Sequence, residues 1–245
     1  MIDVENFQKA AGAFRGNTPF DHCVIDNFFP HEVAQQLESE FLEYNSPHYH
    51  TYDNAIEFKK QNKDWGLFPK TTYQAFYYLN SNQFLDLLSE VVGVKLYSDP
   101  GLHGGGWHIH KSGGKLNPHL DYSLHPKIGL ARKINLIIYV SENLKPENGG
   151  TLGLYSGTTT APEKLVTTVE PKFNRAVIFD TTQNSWHGLV DPVVGGDDVY
   201  RKSLTVYYLT DAAEGIDPRS RALFSPTDDQ KNDATVLDLI KSRAI

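Results

Sequence analysis

From about residue 99 the sequence breaks into short apolar or alternating runs: WHIH, KINLIIYV, TLGLYS, KLVTTVE, RAVIFD and SLTVYYLT. Each is closed off by a cluster of Gly, Pro, Asn or Asp. Runs of this length suit strands rather than helices, and the turn residues between them reverse the chain repeatedly. The pattern is that of successive strands in an antiparallel sandwich or barrel.

The flanks have a different period. In HEVAQQLESEFLEY, residues 31–44, Val33, Leu37, Phe41 and Leu42 fall on one helical face, and Pro30 stands where a helix start tolerates it. FLDLLSEVVGVKLY, residues 84–97, predicts a second amphipathic helix closing near Gly93. TVLDLIKSR, residues 235–243, predicts a third through Val236, Leu239 and Ile240. Residues 45–72 are polar and aromatic with weak periodicity, and SPHYHTYDN at 46–54 is either a substrate lid or a solvated loop. There is no repeat and no low-complexity linker. The expected fold is α+β, mainly β: a double-stranded β-helix (jelly-roll) core over 99–210, a helical and mixed support region over 1–98, and a C-terminal extension with a helix over 211–245, all in one domain.

Composition narrows the partners. The chain has 245 residues, 40% of them hydrophobic, so it can bury a sizeable core. A formal net charge of -7 without a basic run argues against nucleic acid. No apolar stretch reaches bilayer length, and the N-terminus lacks a secretory pattern, so no membrane partner and a cytoplasmic location are expected. Cys23 is the only cysteine, which excludes an intramolecular disulfide and a multi-thiolate metal site; it is expected to be buried and inert.

The chemistry-bearing residues lie inside the β-rich segment. NPHLDYS sets His119 and Asp121 two apart, a spacing that turns both side chains to one face of a strand. SWHGL supplies His187, and two imidazoles with one carboxylate make the facial triad that leaves positions open on Fe(II). Arg201 and Ser203 share the next strand, and a guanidinium beside a hydroxyl suits the carboxylate of a diacid; pairing of Arg201 with Asp197 or Asp198 is the structural alternative. His108 and His110 in WHIH, taken with His119, leave open a histidine-only site. Trp107 and Trp186 are expected in the core or a pocket wall. Gly149 and Gly150 make a turn rather than a phosphate loop, since neither a helix start nor Lys-Ser/Thr follows.

Together these elements resemble the 2-oxoglutarate and Fe(II)-dependent dioxygenase superfamily, in its prolyl 4-hydroxylase-like branch. The resemblance runs over about residues 107–210, through H-x-x-G-x-x-L-x-x-H-x-D from His110 to Asp121, INLIIYVS, ENGGTLGLYS, VEPKFNRAVIFD, WHGL and RKSLTVYYL. VIDNFFPHEVAQQL near the N-terminus resembles the start of that branch as well. The resemblance implies iron ligands at His119, Asp121 and His187, a clamp for the distal carboxylate of 2-oxoglutarate at Arg201, and a co-substrate contact at Tyr139. The branch carries Tyr where this chain has His110, and an imidazole there would bring pH sensitivity near neutrality. The implied activity is hydroxylation of a peptidyl proline, an amino acid or another small metabolite, using Fe(II), 2-oxoglutarate and O2, with ascorbate as reductant and succinate and CO2 as products. The competing functions are a non-catalytic β-sandwich binding protein and a cupin-like metalloenzyme that does not use 2-oxoglutarate.

Overall fold

The fold is a computed structural model that describes residues 1–243; residues 244 and 245 of the expected C-terminal extension lie outside it. Among the described residues, α1 (Val4–Ala11), β1 (His22–Ile25), α2 (His31–Ser39), β2 (His50–Asp53), β3 (Glu57–Asn62), α3 (Lys70–Leu79) and α4 (Asn82–Val92) come first. Then follow β4 (Tyr97–Ser98), β5 (Gly106–His110), β6 (Lys115–Leu116), β7 (His119–Leu120), β8 (Ala131–Tyr139), β9 (Leu152–Gly157) and β10 (Pro162–Val169). The chain continues through β11 (Arg175–Asp180), β12 (Trp186–Leu189), β13 (Arg201–Thr210), β14 (Leu223–Phe224) and α5 (Ala234–Arg243).

Two antiparallel sheets face each other. The larger runs β1-β11-β8-β13-β5-β3-β2, with β4 against β13 and β6 against β3; the smaller runs β10-β9-β12-β7-β14. Apart from the β2–β3 and β9–β10 hairpins, neighbouring strands are distant in sequence, as a jelly roll requires, so residues far apart in the chain meet between the sheets.

β8 shows why the helices sit where they do. Ile134, Leu136 and Ile138 point to the outer face and pack with Leu204, Val206 and Tyr208 of β13, Phe84 and Leu88 of α4, and Phe7 of α1. Helices therefore cover the outer face of the larger sheet, and its inner face divides between an apolar cluster of Val177, Phe179 and Tyr139 against Leu152 and Leu154 of the smaller sheet and the polar side chains of the site. Phe84 is fully buried, and removing such a ring costs roughly 3–5 kcal/mol.

The ends of α4 are written locally. The Ser81 side chain accepts from the Phe84 amide, and Gly93 closes the helix in the left-handed conformation at φ 79°. α2 is shorter than its periodicity suggests: it stops at Ser39, while Phe41 and Leu42 still pack against the core from beyond the helix. The weakly periodic stretch holds the β2–β3 hairpin and α3, so residues 50–53 of the candidate lid form the edge strand of the larger sheet. Trp107 and Trp186 are fully buried, and Cys23 is buried with its thiol pushed up to about 12 by desolvation.

Candidate metal centre and co-substrate pocket

His119 on β7 and His187 on β12 are direct Cα partners across the smaller sheet. Each ring is oriented by the carbonyl two residues before it: His119 Nδ1 lies 3.0 Å from the Asn117 oxygen and His187 Nδ1 2.9 Å from the Ser185 oxygen. Held this way, each Nδ1–H donates and each Nε2 is left as a lone-pair donor to a metal. Both Nε2 atoms lie 3.7 Å from an Asp121 oxygen, and one ligand atom from each of the three residues falls within 4.8 Å of the others. All three residues are buried.

The protonation states suit a cation. Burial first, then His187, pushes the His119 imidazole well below its ordinary pKa; burial also lowers His187, against the opposing pull of Asp121. Burial alone would raise the Asp121 carboxyl, but Arg132, His187, His119 and the Asn135 amide outweigh it and hold the group at about 2. Two neutral imidazoles and a carboxylate are the donor set of a facial Fe(II) site.

The remaining wall comes from the inner face of the larger sheet. Two cross-strand rows line it: Gln61, His108, Ser203 and Tyr139 are successive Cα partners, and Arg201 is the partner of His110. The metal-ligand cluster, His108, His110, Arg201 and Ser203 line one cavity of about 160 Å³. Arg201 is 4% exposed, and its Nε donates to the Gly150 carbonyl at 2.8 Å. The backbone therefore engages Arg201 in place of the alternative partners Asp197 and Asp198. Gly150 permits this approach: at φ +71°, a Cβ there would come 2.8 Å from Arg201 Cδ.

Tyr139 lies next to Arg201, whose guanidinium carbon is 4.8 Å from the ring centroid. Burial raises the Tyr139 hydroxyl above its usual pKa, against the lowering pull of Arg201, so it stays a donor. His110 is 2% exposed, and burial, with Arg201 and Lys59 nearby, drives its imidazole well below the ordinary value. Desolvation holds this ring neutral near neutrality, in contrast to the pH sensitivity expected of it there. His108 contributes Nε2 to the Gly104 carbonyl at 3.1 Å rather than to a metal cluster, so the histidine-only grouping is not what the fold assembles.

Three side chains that sequence reasoning left out complete the site. Arg132 Nη1 stands 3.4 Å from Asp121 Oδ1, and its guanidinium carbon lies 3.0 Å over the Tyr207 ring centroid. Asn135 Nδ2 donates to Asp121 Oδ2 at 3.3 Å. The β8–β13 register shifts between Tyr208 and Leu209, where Arg132 becomes the partner of Leu209, and no periodicity announces that irregularity. Phe224 on β14 pairs with His119 and stacks on its ring at 5.1 Å and 22°.

Among the described residues, Tyr139 Oη, both ring nitrogens of His110, Arg132 Nε and Nη2, Asn135 Oδ1 and Tyr122 Oη are buried with no hydrogen-bond partner. Buried polar atoms are normally paired, so a cluster of orphans around one cavity fits a wall built for a polar ligand.

Residues 105–209 match the model of the 2OG-Fe(II) oxygenase superfamily. The fold is similar to that of a prolyl-4-hydroxylase from Pseudomonas putida, at 17% identity and TM-score 0.58, over 83% of this chain and 100% of that one. It is also similar to a Trichoplax adhaerens prolyl hydroxylase solved with a hypoxia inducible factor oxygen degradation domain peptide fragment, at 16% identity and TM-score 0.56, over 84% of this chain and 90% of that one. A third likeness is HygX from Streptomyces hygroscopicus, solved with nickel, 2-oxoglutarate and hygromycin B, at 13% identity and TM-score 0.52, over 85% of this chain and 88% of that one. No curated protein sequence matches the chain. No helix among the described residues is long and apolar enough to cross a membrane. The family match over residues 105–209 and the shared jelly-roll fold agree with the motifs read from the sequence: this part of the chain resembles the 2OG-Fe(II) oxygenase superfamily.

Proposed function

We propose that this chain is a prolyl 4-hydroxylase-like hydroxylase that uses Fe(II), 2-oxoglutarate and O2, with His119, Asp121 and His187 as the iron ligands. The observation that carries this is the joining, in one cavity, of three buried metal-ligand side chains with a buried arginine that can receive a dicarboxylate. Arg201 takes the distal carboxylate of 2-oxoglutarate, Ser203 and Tyr139 offer hydroxyl donors to it, and neutral His110 contributes one N–H. Arg132 and Asn135 hold the Asp121 carboxylate in its charged form and in one orientation. When bound, Fe(II) supplies the redox chemistry that couples decarboxylation of 2-oxoglutarate to substrate oxidation, while the protein orients the reactants and excludes water. Ascorbate serves as the reductant that keeps the iron ferrous.

Similar folds solved with a peptide fragment and with hygromycin B make both peptides and small molecules fitting substrate types. The test is succinate formation by purified protein supplied with Fe(II), 2-oxoglutarate, ascorbate and O2. Succinate from the wild type, abolished in Asp121→Ala, is the expected result. Equal succinate from both proteins, or none from either, would overturn the proposal.

A further inference from the structure

On β3, Glu57, Lys59 and Gln61 alternate onto the inner face and line the cavity. Gln61 is the Cα partner of His108, so Lys59, two residues earlier, continues the row that holds His110 and Arg201. At about 4.8 Å per strand, Lys59 stands about 10 Å from Arg201, on the far side of His110. Its side chain is only 13% exposed, with Nζ 3.4 Å from Glu57 Oε2 and 5.1 Å from the Tyr52 ring centroid.

Glu57 is 2% exposed, and its other oxygen pairs with Arg243 of α5. One buried carboxylate thus serves two cations, leaving this wall with surplus positive charge. The charge balance deeper in the cavity does not remove the surplus. A 2-oxoglutarate dianion is matched by a divalent metal, and Asp121 is offset by Arg132, so Arg201 adds a further positive charge. A neutral substrate would desolvate the Lys59 ammonium without replacing its water, whereas an anionic one would pair with it. One ammonium hydrogen faces Glu57, and two remain for a ligand.

We infer that Lys59 is a specificity-determining residue that anchors the free carboxylate of a small organic-acid substrate, of amino-acid type, in the iron cavity. The inference rests on the oxygenase proposal and narrows it to a free metabolite rather than a peptide interior.

The test is succinate formation at saturating 2-oxoglutarate, with the free L-amino acids and their α-amides as probes, in wild type, Lys59→Gln and Lys59→Arg. Wild type should respond to at least one free acid with a KM about tenfold or more below that of its amide. Lys59→Gln should erase that gap by raising KM for the acid, with kcat changed by less than about threefold, and Lys59→Arg should retain most of it. Circular dichroism checks that each variant is folded. A gap that survives in Lys59→Gln, or acids and amides of equal effect, would overturn the assignment. So would a wild type that turns over 2-oxoglutarate unaided but responds to no acid in the panel. Absence of succinate from the wild type under every condition would instead remove the oxygenase proposal and this inference with it.

Discussion

His119 and His187 face each other across the β7–β12 pair, ring centroids 4.2 Å apart, and each Nδ1 is tied to the carbonyl of the residue two positions before it. The tautomer is thus set by backbone before any metal arrives, and the two Nε2 atoms converge on Asp121. A preset site loses little entropy on binding, so the ligands act as a unit.

His119→Ala and His187→Ala should each abolish stoichiometric Fe(II) binding, while far-UV circular dichroism stays that of the wild type. Calorimetric titration under anaerobic conditions, with Co(II) as a stable surrogate, reads the affinity. Full occupancy in both variants would remove these residues from the metal centre.

Arg201→Ala should raise the KM for 2-oxoglutarate at least about tenfold, because a charge-assisted bidentate contact contributes about 1.5–3 kcal/mol. Gly150→Ala offers an independent check without touching the charge. A Cβ at φ +71°, 2.8 Å from Arg201 Cδ, would displace the guanidinium and strain the backbone by about 1–3 kcal/mol. The same rise in KM with metal affinity intact is expected of both; an unchanged KM in both would return Arg201 to a structural role.

Much of this site is legible before any coordinates. His119 and Asp121 are close in sequence, and a two-residue spacing dictates a shared face; Arg201 and Ser203 obey the same rule on β13. The strands from residue 99 onward show because both the turns and the apolar runs are local signals. Arg132 does not show, because its approach to Asp121 depends on a register irregularity between β8 and β13. Phe224 does not show either: β14 has two residues, too few for a period, and its partner β7 is over a hundred positions away. The β2–β3 hairpin is hidden for another reason. β2 is an exposed edge strand, and β3 carries Glu57, Lys59 and Gln61 on its inner face, where an apolar pattern would otherwise mark a strand.

Phe224→Leu should weaken metal binding about tenfold, the effect expected when a neighbour that orients a ligand is altered. Leucine keeps most of the apolar volume against Ile56 and Val236 but loses the flat stack on His119. The metal titration used for the histidine variants measures it, and an unchanged dissociation constant would confine Phe224 to packing.

The last prediction concerns acid, and its sign follows from burial. Desolvation, then Lys59, lowers His108 to about 3, and desolvation, then Arg201, puts His110 well below its ordinary value. A histidine with a depressed folded-state pKa takes up a proton in the unfolded chain near pH 6.5 but not in the fold. Its contribution is therefore complete above about pH 6.5 and is lost as the pH falls, by about 2 kcal/mol at pH 5 for each residue that stays neutral. Asp121 acts in the same sense but in a lower range: it favours the fold above its unfolded pKa near 3.8, and that contribution fades only as the pH falls toward about 2, outside this window. Metal-free protein should accordingly lose thermal stability between about pH 6.5 and 5, and His110→Tyr should lose less over the same range. Within about pH 6.5–8 the buried ring stays neutral in the fold, so 2-oxoglutarate affinity should give parallel profiles in wild type and His110→Tyr. Calorimetric melting across the acid range measures the first effect, and anaerobic 2-oxoglutarate titration measures the second. An equal loss of stability in both proteins would show that His110 is solvated in the fold, and divergent affinity profiles would show that it titrates beside the co-substrate.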